Sequence, residues 1–277
     1  MARNTPAKPR SAMQLSREEA GEGTPVVLAH GLTATRRYVV QGSRLLERGG
    51  YRVIGYDARG HGDSRPAPDP AAYEYRDLVA DLRELLDDLG LQRPVLCGSS
   101  MGAATALALA LEEPERVAAL VQITPAYDGT PRTEPSDLKE WDALAAAMQA
   151  GDVEAFVDLS GVNRIPEKFR DVARRAVRQR LERHEHPTAV ADALRVVPRS
   201  AAFHGLEGLN DLGVPVLVVG SRDDTDPGHP LAVAQEYARR MPRVKLMVEA
   251  EGESPLAWRG AQLSRAIAEF LDDPPAG

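Results

Sequence analysis

The chain has 277 residues, of which 43% are hydrophobic and 27% are charged, and its formal net charge is -7. This composition is ordinary for a globular protein that buries a core. The acidic balance argues against nucleic acid as a partner, because a negatively charged chain repels phosphate backbones. The single cysteine, Cys97, excludes an intrachain disulfide and a multi-cysteine metal site, and it fits a reducing compartment.

The first residues carry basic side chains without an apolar run behind them. The segment "MARNTPAKPRSAMQLSREEAGEG" therefore does not have the pattern of a signal peptide. No later stretch is long and apolar enough to span a membrane. We expect a cytoplasmic protein with a frayed, proline-rich N-terminus.

Strand and helix patterns alternate through the first part of the chain. Short apolar runs at 25–31 and 51–57 predict strands that are buried on both faces, and leucines at helical spacing predict a helix over 73–90. A strand pattern, "PVLCGS", then precedes a helix pattern, "MGAATALALALEEP", and a further strand is predicted at 116–125. This alternation is typical of an α/β fold with a mostly parallel sheet covered on both sides.

The alternation is interrupted after residue 126 and resumes at residue 206. Residues 127–205 contain four helical patterns and no strand pattern, so we interpret them as a helical cap inserted into the core. Strand patterns return at 214–221 and 244–250, with a helix between them and a closing helix after them. The sequence thus predicts a first core part at 1–126, the cap at 127–205 and a second core part at 206–277.

Four short motifs occur along the predicted core. They are "HG" at 30–31, "DARGHGDS" at 57–64, "GSSMG" at 98–102 and "GSRD" at 220–223. The third has the spacing Gly-x-Ser-x-Gly between a predicted strand and a predicted helix, which is the context of a nucleophile elbow. In these motifs and their order the chain resembles the α/β-hydrolase family of the serine-nucleophile type, from residue 25 to residue 271. The resemblance implies a cofactor-free hydrolase that acts on an ester or a related acyl or C–C bond.

The same resemblance implies roles for the residues of the elbow. Ser100 would be the nucleophile, exposed on a tight turn that Gly98 and Gly102 permit because side chains there would collide with backbone. The N–H groups of Leu32 and Met101 would form an oxyanion hole beside it. The helix that follows Ser100 would favour an anion at its N-terminus.

The acid and the base of the site are less well defined by the sequence. Asp223 in the "GSRD" motif is the implied acid, with Asp224 and Asp226 as neighbours that make the choice depend on spacing. Where the family places its catalytic histidine, in "EGESPLAW", this chain has Glu253, and no histidine follows His229.

Three interpretations of the missing histidine stay open. In the first, Glu253 is the base, with a pKa raised from about 4.3 by burial and by the nearby Asp223. In the second, His229 or His204 reaches the site and replaces the lost residue. In the third there is no base, and the protein is a degenerate hydrolase fold that binds a small ligand, or a lyase or isomerase that uses the oxyanion hole alone.

Further polar residues are candidates for substrate contacts. His30, in the "HG" loop on the oxyanion side, and Ser99, beside the nucleophile, are predicted to contact the substrate. Arg37 is a candidate for holding a substrate carboxylate, although Arg36 and Arg37 also fit a surface pair. His61 is expected to be structural. His184 and His186 are expected on the solvated face of a charged helix in the cap.

The sequence contains no glycine loop that would cradle a phosphate and no cluster of metal ligands. We therefore expect no cofactor and no metal. The expected partner is a small-molecule substrate, with neither nucleic acid nor a membrane, and the sequence leaves a homodimer open.

Overall fold

A seven-stranded sheet forms the centre of the protein in the computed structural model, which describes residues 13–276. Most of the segment expected to be frayed lies outside these residues. The strands are β1 (Arg17–Ala20), β2 (Thr24–Ala29), β3 (Tyr51–Tyr56), β4 (Val95–Ser99), β5 (Ala119–Ile123), β6 (Val216–Val219) and β7 (Val244–Met247). Their spatial order is β1-β3-β2-β4-β5-β6-β7, and only β1 is antiparallel to its neighbour.

Helices cover both faces of this sheet. The helices of the described residues are α1 (Leu45–Arg48), α2 (Tyr75–Asp88), α3 (Met101–Glu112), α4 (Pro135–Ala150), α5 (Val153–Leu159), α6 (Glu167–Leu181), α7 (Pro187–Val196), α8 (Leu231–Arg240) and α9 (Gly260–Asp272). Residues of α2, α3 and α8 pack with one side of the strands, and residues of α1 and α9 pack with the other. The predicted α/β fold with a doubly covered, mostly parallel sheet is confirmed.

No helix in the described part of the chain has both the length and the hydropathy that a membrane crossing requires.

The central strands are apolar throughout because both of their faces are buried. In β4, Leu96 packs into one core cluster, and Val95 and Cys97 pack into the other. A strand buried in this way shows a continuous apolar run instead of an alternating pattern. The predictions for β2 to β7 rested on such runs, and each of these strands is present, with ends that differ by a few residues from the predicted ones.

Strand β1 was not predicted from the sequence. Its residues Arg17, Glu18 and Glu19 are exposed, and the strand pairs only with β3, at the edge of the sheet. Charged side chains on an edge strand oppose pairing with other chains, but they remove the apolar signal by which a strand is read from sequence. The backbone partner β3, and not the side-chain pattern, defines this strand.

The four helices between β5 and β6 form a layer with its own apolar core. Phe156 of α5 and Val190 and Leu194 of α7 are nearly inaccessible to solvent and belong to this core. The same cluster includes Leu32 and Met101, which lie in the loop after β2 and at the start of α3. The helical layer therefore packs directly over the end of β4 and the adjoining loop.

One histidine fixes this layer to the core, against expectation. His184 follows the end of α6 instead of lying on an exposed helical face, and it is only 8% exposed. Its Nδ1 accepts a hydrogen bond from the Gly62 N–H at 2.9 Å, and its Nε2 lies 3.2 Å from the carbonyl oxygen of Thr33. The prediction of a solvated His184 was wrong because α6 ends at Leu181, so helical periodicity no longer determines which side chains face solvent. His186 is partly exposed.

The protonation of His184 gives a stability test. Burial lowers the pKa of His184 from 6.5 to about 3, so the folded protein binds this proton less well than the unfolded chain. The stability that this group contributes is complete above the unfolded pKa and is lost as the pH falls from 6.5 toward 3. Relative to His184→Gln, we expect the wild-type free energy of unfolding to fall by up to about 1.4 kcal/mol per pH unit in this window.

Urea denaturation at several pH values from neutral to weakly acidic measures this difference. His204→Gln is the matched control, because His204 is exposed and bonded to no other described group, and it should follow the wild-type pH dependence. Parallel curves for the wild type and His184→Gln would contradict the role of the neutral ring.

Candidate active site

Ser100 lies between β4 and α3 with an unusual backbone conformation. Its φ is 51° and its ψ is -110°, and only two other non-glycine residues between 13 and 276, Gln41 and Thr124, have a positive φ. Such a conformation costs on the order of 1–3 kcal/mol and persists only where the surroundings impose it. Here the Ser100 N–H donates to the Ile123 carbonyl of β5 at 3.0 Å, and the Ser100 carbonyl accepts from Ala104 at 3.0 Å. The side chain is partly exposed, and its hydroxyl bonds to no other group of the described residues.

The two glycines of the motif allow three chain segments to meet at this turn. A Cβ on Gly98 would collide with the Gly102 carbonyl, and a Cβ on Gly102 would lie 2.8 Å from the His30 carbonyl oxygen and closer still to that of Ala29. Larger side chains would therefore push α3 away from β4 or from the loop that follows β2. The glycine spacing thus serves the close packing from which the conformation of Ser100 follows.

Two backbone N–H groups beside Ser100 are free of partners. Neither the Leu32 N–H nor the Met101 N–H donates a hydrogen bond to any described residue. A Cβ on Gly31 would lie 3.5 Å from the Cβ of Ser100, so the loop carrying Leu32 is in contact with the serine. Met101 begins α3, where the N–H groups of the first turn have no acceptor within the helix. Both free donors therefore belong to segments that adjoin Ser100.

Buried histidines hold this loop from behind. The Nε2 of His30 accepts from the Ala58 N–H at 2.9 Å, and its Nδ1 donates to the Gly31 carbonyl at 2.8 Å. Burial lowers the pKa of His30 well below 6.5. The ring of His61 lies 2.7 Å from the Leu32 carbonyl oxygen and 5.1 Å, between ring centroids, from His30. Both histidines act as structural supports of the loop, and the structure places His30, a predicted substrate contact, behind it.

The two arginines after this loop also have partners within the core part of the chain. The Arg36 N–H donates to Asp57 at 2.7 Å, and its guanidinium binds Asp57 and Asp63. The Arg37 side chain is 59% exposed and pairs with Glu18 of β1 at 2.6 Å. Arg37, predicted as a substrate contact, is thus directed to the sheet edge. Ser99 is partly exposed at the end of β4, where it lies opposite Ile123.

Hydrogen bonds between strand ends bring the remaining candidates to the same edge of the sheet. Beyond the bond from Ser100 to β5, the Thr124 N–H donates to Val219 of β6 at 2.7 Å, and the Gly220 N–H donates to Met247 of β7 at 2.9 Å. The segments after β4, β5, β6 and β7 therefore leave the sheet side by side. This is the edge where open parallel sheets bind ligands.

The loop after β6 contains a paired aspartate and histidine. The Oδ1 of Asp226 lies 2.8 Å from the Nδ1 of His229, and these side chains are 15% and 28% exposed. Burial alone would lower the pKa of His229, but the charge and the hydrogen bond of Asp226 outweigh it and raise the pKa above 6.5. The Nε2 of His229 has no hydrogen-bond partner among the described residues. The pair therefore presents a free imidazole nitrogen whose opposite side is held by a carboxylate.

Asp223, the implied acid, has a different environment. It is exposed, and its Oδ1 accepts from the Leu231 N–H at 2.7 Å, at the start of α8. A carboxylate at a helix N-terminus satisfies an N–H that has no partner within the helix. The structure thus places Asp223 as a cap of α8 and brings Asp226 to the histidine.

The three residues that could replace the missing histidine as the base differ in their burial. Glu253 lies on an exposed turn, with its side chain 52% exposed and paired with Arg259 at 3.3 Å. Its exposure and its ion pair with Arg259 are the setting of a surface carboxylate. His204 is exposed. Of the three residues, His229 is the one held by a partly buried carboxylate.

A buried glutamate that the sequence reading missed supports the loop after β6. Glu249, two residues past β7, is 6% exposed. Its Oε1 accepts from the Arg222 N–H at 2.8 Å and lies 3.0 Å from the hydroxyl of Thr225. The carboxylate thereby fixes the start of the segment that carries Asp226 and His229. The signal for it is an acidic residue in the predicted strand 244–250, where an apolar one is expected.

Known proteins of similar sequence include hydrolases. RutD of Variovorax paradoxus (strain S110), a proposed carbamate hydrolase, is 27% identical over 252 residues, which cover 90% of this chain and 92% of RutD. The sn-1-specific diacylglycerol lipase ABHD11 of Mus musculus is 38% identical over 144 residues, a match that spans 52% of this chain and only 44% of the lipase.

Two solved structures resemble this chain over nearly its whole length. A thermophilic esterase from Thermogutta terrifontis is 25% identical with a TM-score of 0.76, and the likeness covers 93% of each chain. The enol-lactonase from Burkholderia xenovorans LB400 has a TM-score of 0.77 at 21% identity, over 96% of this chain and 100% of that one, which shows a shared fold. A family model described as the alpha/beta hydrolase fold matches residues 24–258. Since this match covers most of the sequence, the chain belongs to the alpha/beta hydrolase family.

Proposed function

We propose that this protein hydrolyses carboxylic esters or related acyl substrates, with Ser100 as the nucleophile. The observation that carries the proposal is the strained backbone of Ser100 at the tip of β4, which turns a partly exposed and unbonded hydroxyl toward the edge where the loops meet. Strain in a well-packed region is characteristic of functional sites, because the surrounding contacts must sustain it. An esterase, a lipase and a proposed carbamate hydrolase among the similar proteins support this class of reaction.

The free N–H groups of Leu32 and Met101 are the proposed oxyanion hole. Attack on an acyl carbon turns the carbonyl oxygen into an oxyanion, and prearranged donors stabilise that charge without reorganising. Each such donor contributes about 10²- to 10³-fold in kcat in enzymes where it has been removed. The supports from His30 and His61 would keep the Leu32 side of this hole rigid.

His229 is the proposed general base, with Asp226 as its acid partner. In this role Asp226 orients the ring through Nδ1, so that the unprotonated Nε2 is available to the Ser100 hydroxyl. The chain order Ser100, Asp226, His229 is the serine, acid, histidine order of the hydrolase fold. The exposure and ion pairing of Glu253 favour this assignment over a carboxylate base.

The proposed reaction proceeds in two acyl-transfer steps. The Ser100 oxygen attacks the acyl carbon while His229 takes its proton, and the proton passes to the leaving alcohol as the C–O bond breaks. Water then gives a proton to His229 and attacks the acyl-serine ester, which releases the carboxylic acid and returns the proton to Ser100. The two steps need no reactant other than the substrate, water and these side chains.

The nucleophile is tested with Ser100→Ala. We expect the wild type to release a burst of p-nitrophenolate from p-nitrophenyl acetate and to be labelled by a fluorophosphonate probe. Ser100→Ala should lose both, with kcat lower by roughly 10³-fold or more, because only binding and the oxyanion hole remain. Ser136→Ala is the control, since Ser136 is exposed at the start of α4. A burst and labelling that survive Ser100→Ala would exclude Ser100 as the nucleophile.

The identity of the base is tested by two parallel substitutions. We expect His229→Gln to lower kcat by roughly 10³-fold, because a glutamine cannot accept the serine proton. Glu253→Gln should stay close to the wild type, since that side chain is exposed and paired with Arg259. The reverse result would assign the base to Glu253, and normal rates in both variants would remove both residues from the proton transfer.

The pH dependence tests the link between Asp226 and His229. Because Asp226 raises the pKa of His229 above 6.5, the base becomes unprotonated, and kcat/KM should rise, only as the pH passes that raised value. Asp226→Asn should move the midpoint of the profile to lower pH and also reduce the plateau, since the ring loses its orienting carboxylate. Asp223→Asn is the matched control in the same loop and should keep the wild-type midpoint. A midpoint that follows Asp223 and not Asp226 would contradict the pair.

A further inference from the structure

Helix α6 crosses above the loops that form the candidate site. Near its start, the Lys168 ammonium donates to the Gly252 carbonyl at 2.6 Å, and Phe169 packs edge-on against Trp258 at 6.3 Å between ring centroids. Just past its end, His184 bonds to the loops that contain Gly62 and Thr33. One helix thus bridges the loop after β7 and the loop after β2, and the residues of its inner face lie between these two contacts.

Arg180, in the last turn of α6, is an arginine without an acidic partner. Its Nε is buried, and none of its nitrogens bonds to any described residue. Three other arginines have a buried Nε without a hydrogen bond, but each of them faces a carboxylate. Arg36 and Arg259 do so through another guanidinium nitrogen, and the Nε of Arg222 lies 3.6 Å from the Oδ1 of Asp224. On the same helix, Arg178 is held by Glu154 at 2.5 Å. Arg175 of α6 also has no side-chain partner, but it is exposed, whereas Arg180 combines a buried Nε with the lack of a partner.

The surroundings of Arg180 include the proposed base. Its positive charge lowers the pKa of His184 and opposes the rise in the pKa of His229. Burial lowers the pKa of Arg180, while Asp226 and Tyr38 act in the opposite direction. Asp226 is already engaged by His229 at 2.8 Å. Arg180 precedes His184, which holds the loops of Gly62 and Thr33, by four residues, and its buried Nε has no hydrogen-bond partner.

A guanidinium in this position lacks the group that would compensate for its burial. A partly buried charge is costly unless it is paired and hydrogen-bonded. The planar fork of arginine matches the two oxygens of a carboxylate, and this match also fixes the orientation of the bound group. A ligand that carries a carboxylate would compensate for the buried charge of Arg180 and be held in a fixed orientation.

We propose that Arg180 binds a free carboxylate of the substrate, so that the preferred substrates are esters or lactones that carry a second, ionised carboxyl group near the scissile bond. This inference rests on the proposed function for the reaction itself. The binding of a carboxylate, however, can be measured without turnover, and the two proposals can therefore fail separately.

The first test compares two esters with the same leaving group. We expect the wild type to have a higher kcat/KM for mono-p-nitrophenyl succinate than for p-nitrophenyl acetate. In Arg180→Gln the ratio of the two values should fall by about tenfold or more, as expected for the loss of a charged hydrogen-bond partner. Arg180→Lys should retain an intermediate ratio, because it keeps the charge and loses the fork. Arg178→Gln, which removes an outward-facing partner of Glu154, should keep the wild-type ratio.

The second test measures binding in a background without the nucleophile. Calorimetric titration of Ser100→Ala with monomethyl succinate should give saturable binding, and the double variant with Arg180→Gln should bind at least about tenfold more weakly. Thermal unfolding of each variant establishes that it is folded. Equal affinities, or no binding to folded Ser100→Ala, would overturn the carboxylate site even if esters are hydrolysed. Binding that depends on Arg180, together with a wild type that hydrolyses neither ester, would overturn the proposed function and leave the carboxylate site intact.

Discussion

The backbone of Ser100 is the constraint on which the arrangement of the whole site depends. A positive φ at a residue with a side chain is sustained only because β4, β5 and the loop after β2 leave the chain no relaxed alternative. The Ser100 N–H is bound to Ile123 of β5, and the flanking glycines admit the carbonyl groups of neighbouring segments. Thr124, which leaves β5 beside this turn, also has a positive φ, of 43°. Two adjacent strands thus end in strained residues, and the rigidity of a buried parallel sheet holds both.

The site keeps its geometry only if the loop that faces the Ser100 turn is rigid as well. The loop that carries Leu32 has no regular structure of its own, and its carbonyl groups are bound by rings from two other segments. His61 lies against the Leu32 carbonyl, and His184 of the helical layer lies against that of Thr33. Because burial lowers the pKa of both rings, they stay neutral, and no ionic charge is added near the free N–H groups. The helical layer is therefore part of the support of the site as well as its cover.

Much of the core was predictable from sequence, because burial on both faces of a parallel sheet leaves an unambiguous apolar run. The elbow was predictable for a similar reason, since glycine is required where backbones touch. The edge strand β1 was not, because its definition lies in backbone pairing with β3. The environments of Glu253, Asp223 and His184 were not predictable either. Each depends on where a helix or turn ends and on what packs there, and neighbours in sequence do not determine this.

Placing Asp226 and His229 three residues apart in one loop has a structural consequence. Where acid and base come from different strand ends, their relative position depends on the sheet, but for the proposed pair it would depend on the conformation of a single segment. That segment follows β6 and needs an anchor of its own, which Glu249 provides from the end of β7 through Arg222 and Thr225. The turn after β7, which carries neither residue of the proposed pair, offers its Gly252 carbonyl to α6, and the Trp258 ring that follows packs on the same helix. The segment after β7 thus supports α6, the helix that carries the proposed carboxylate-binding Arg180.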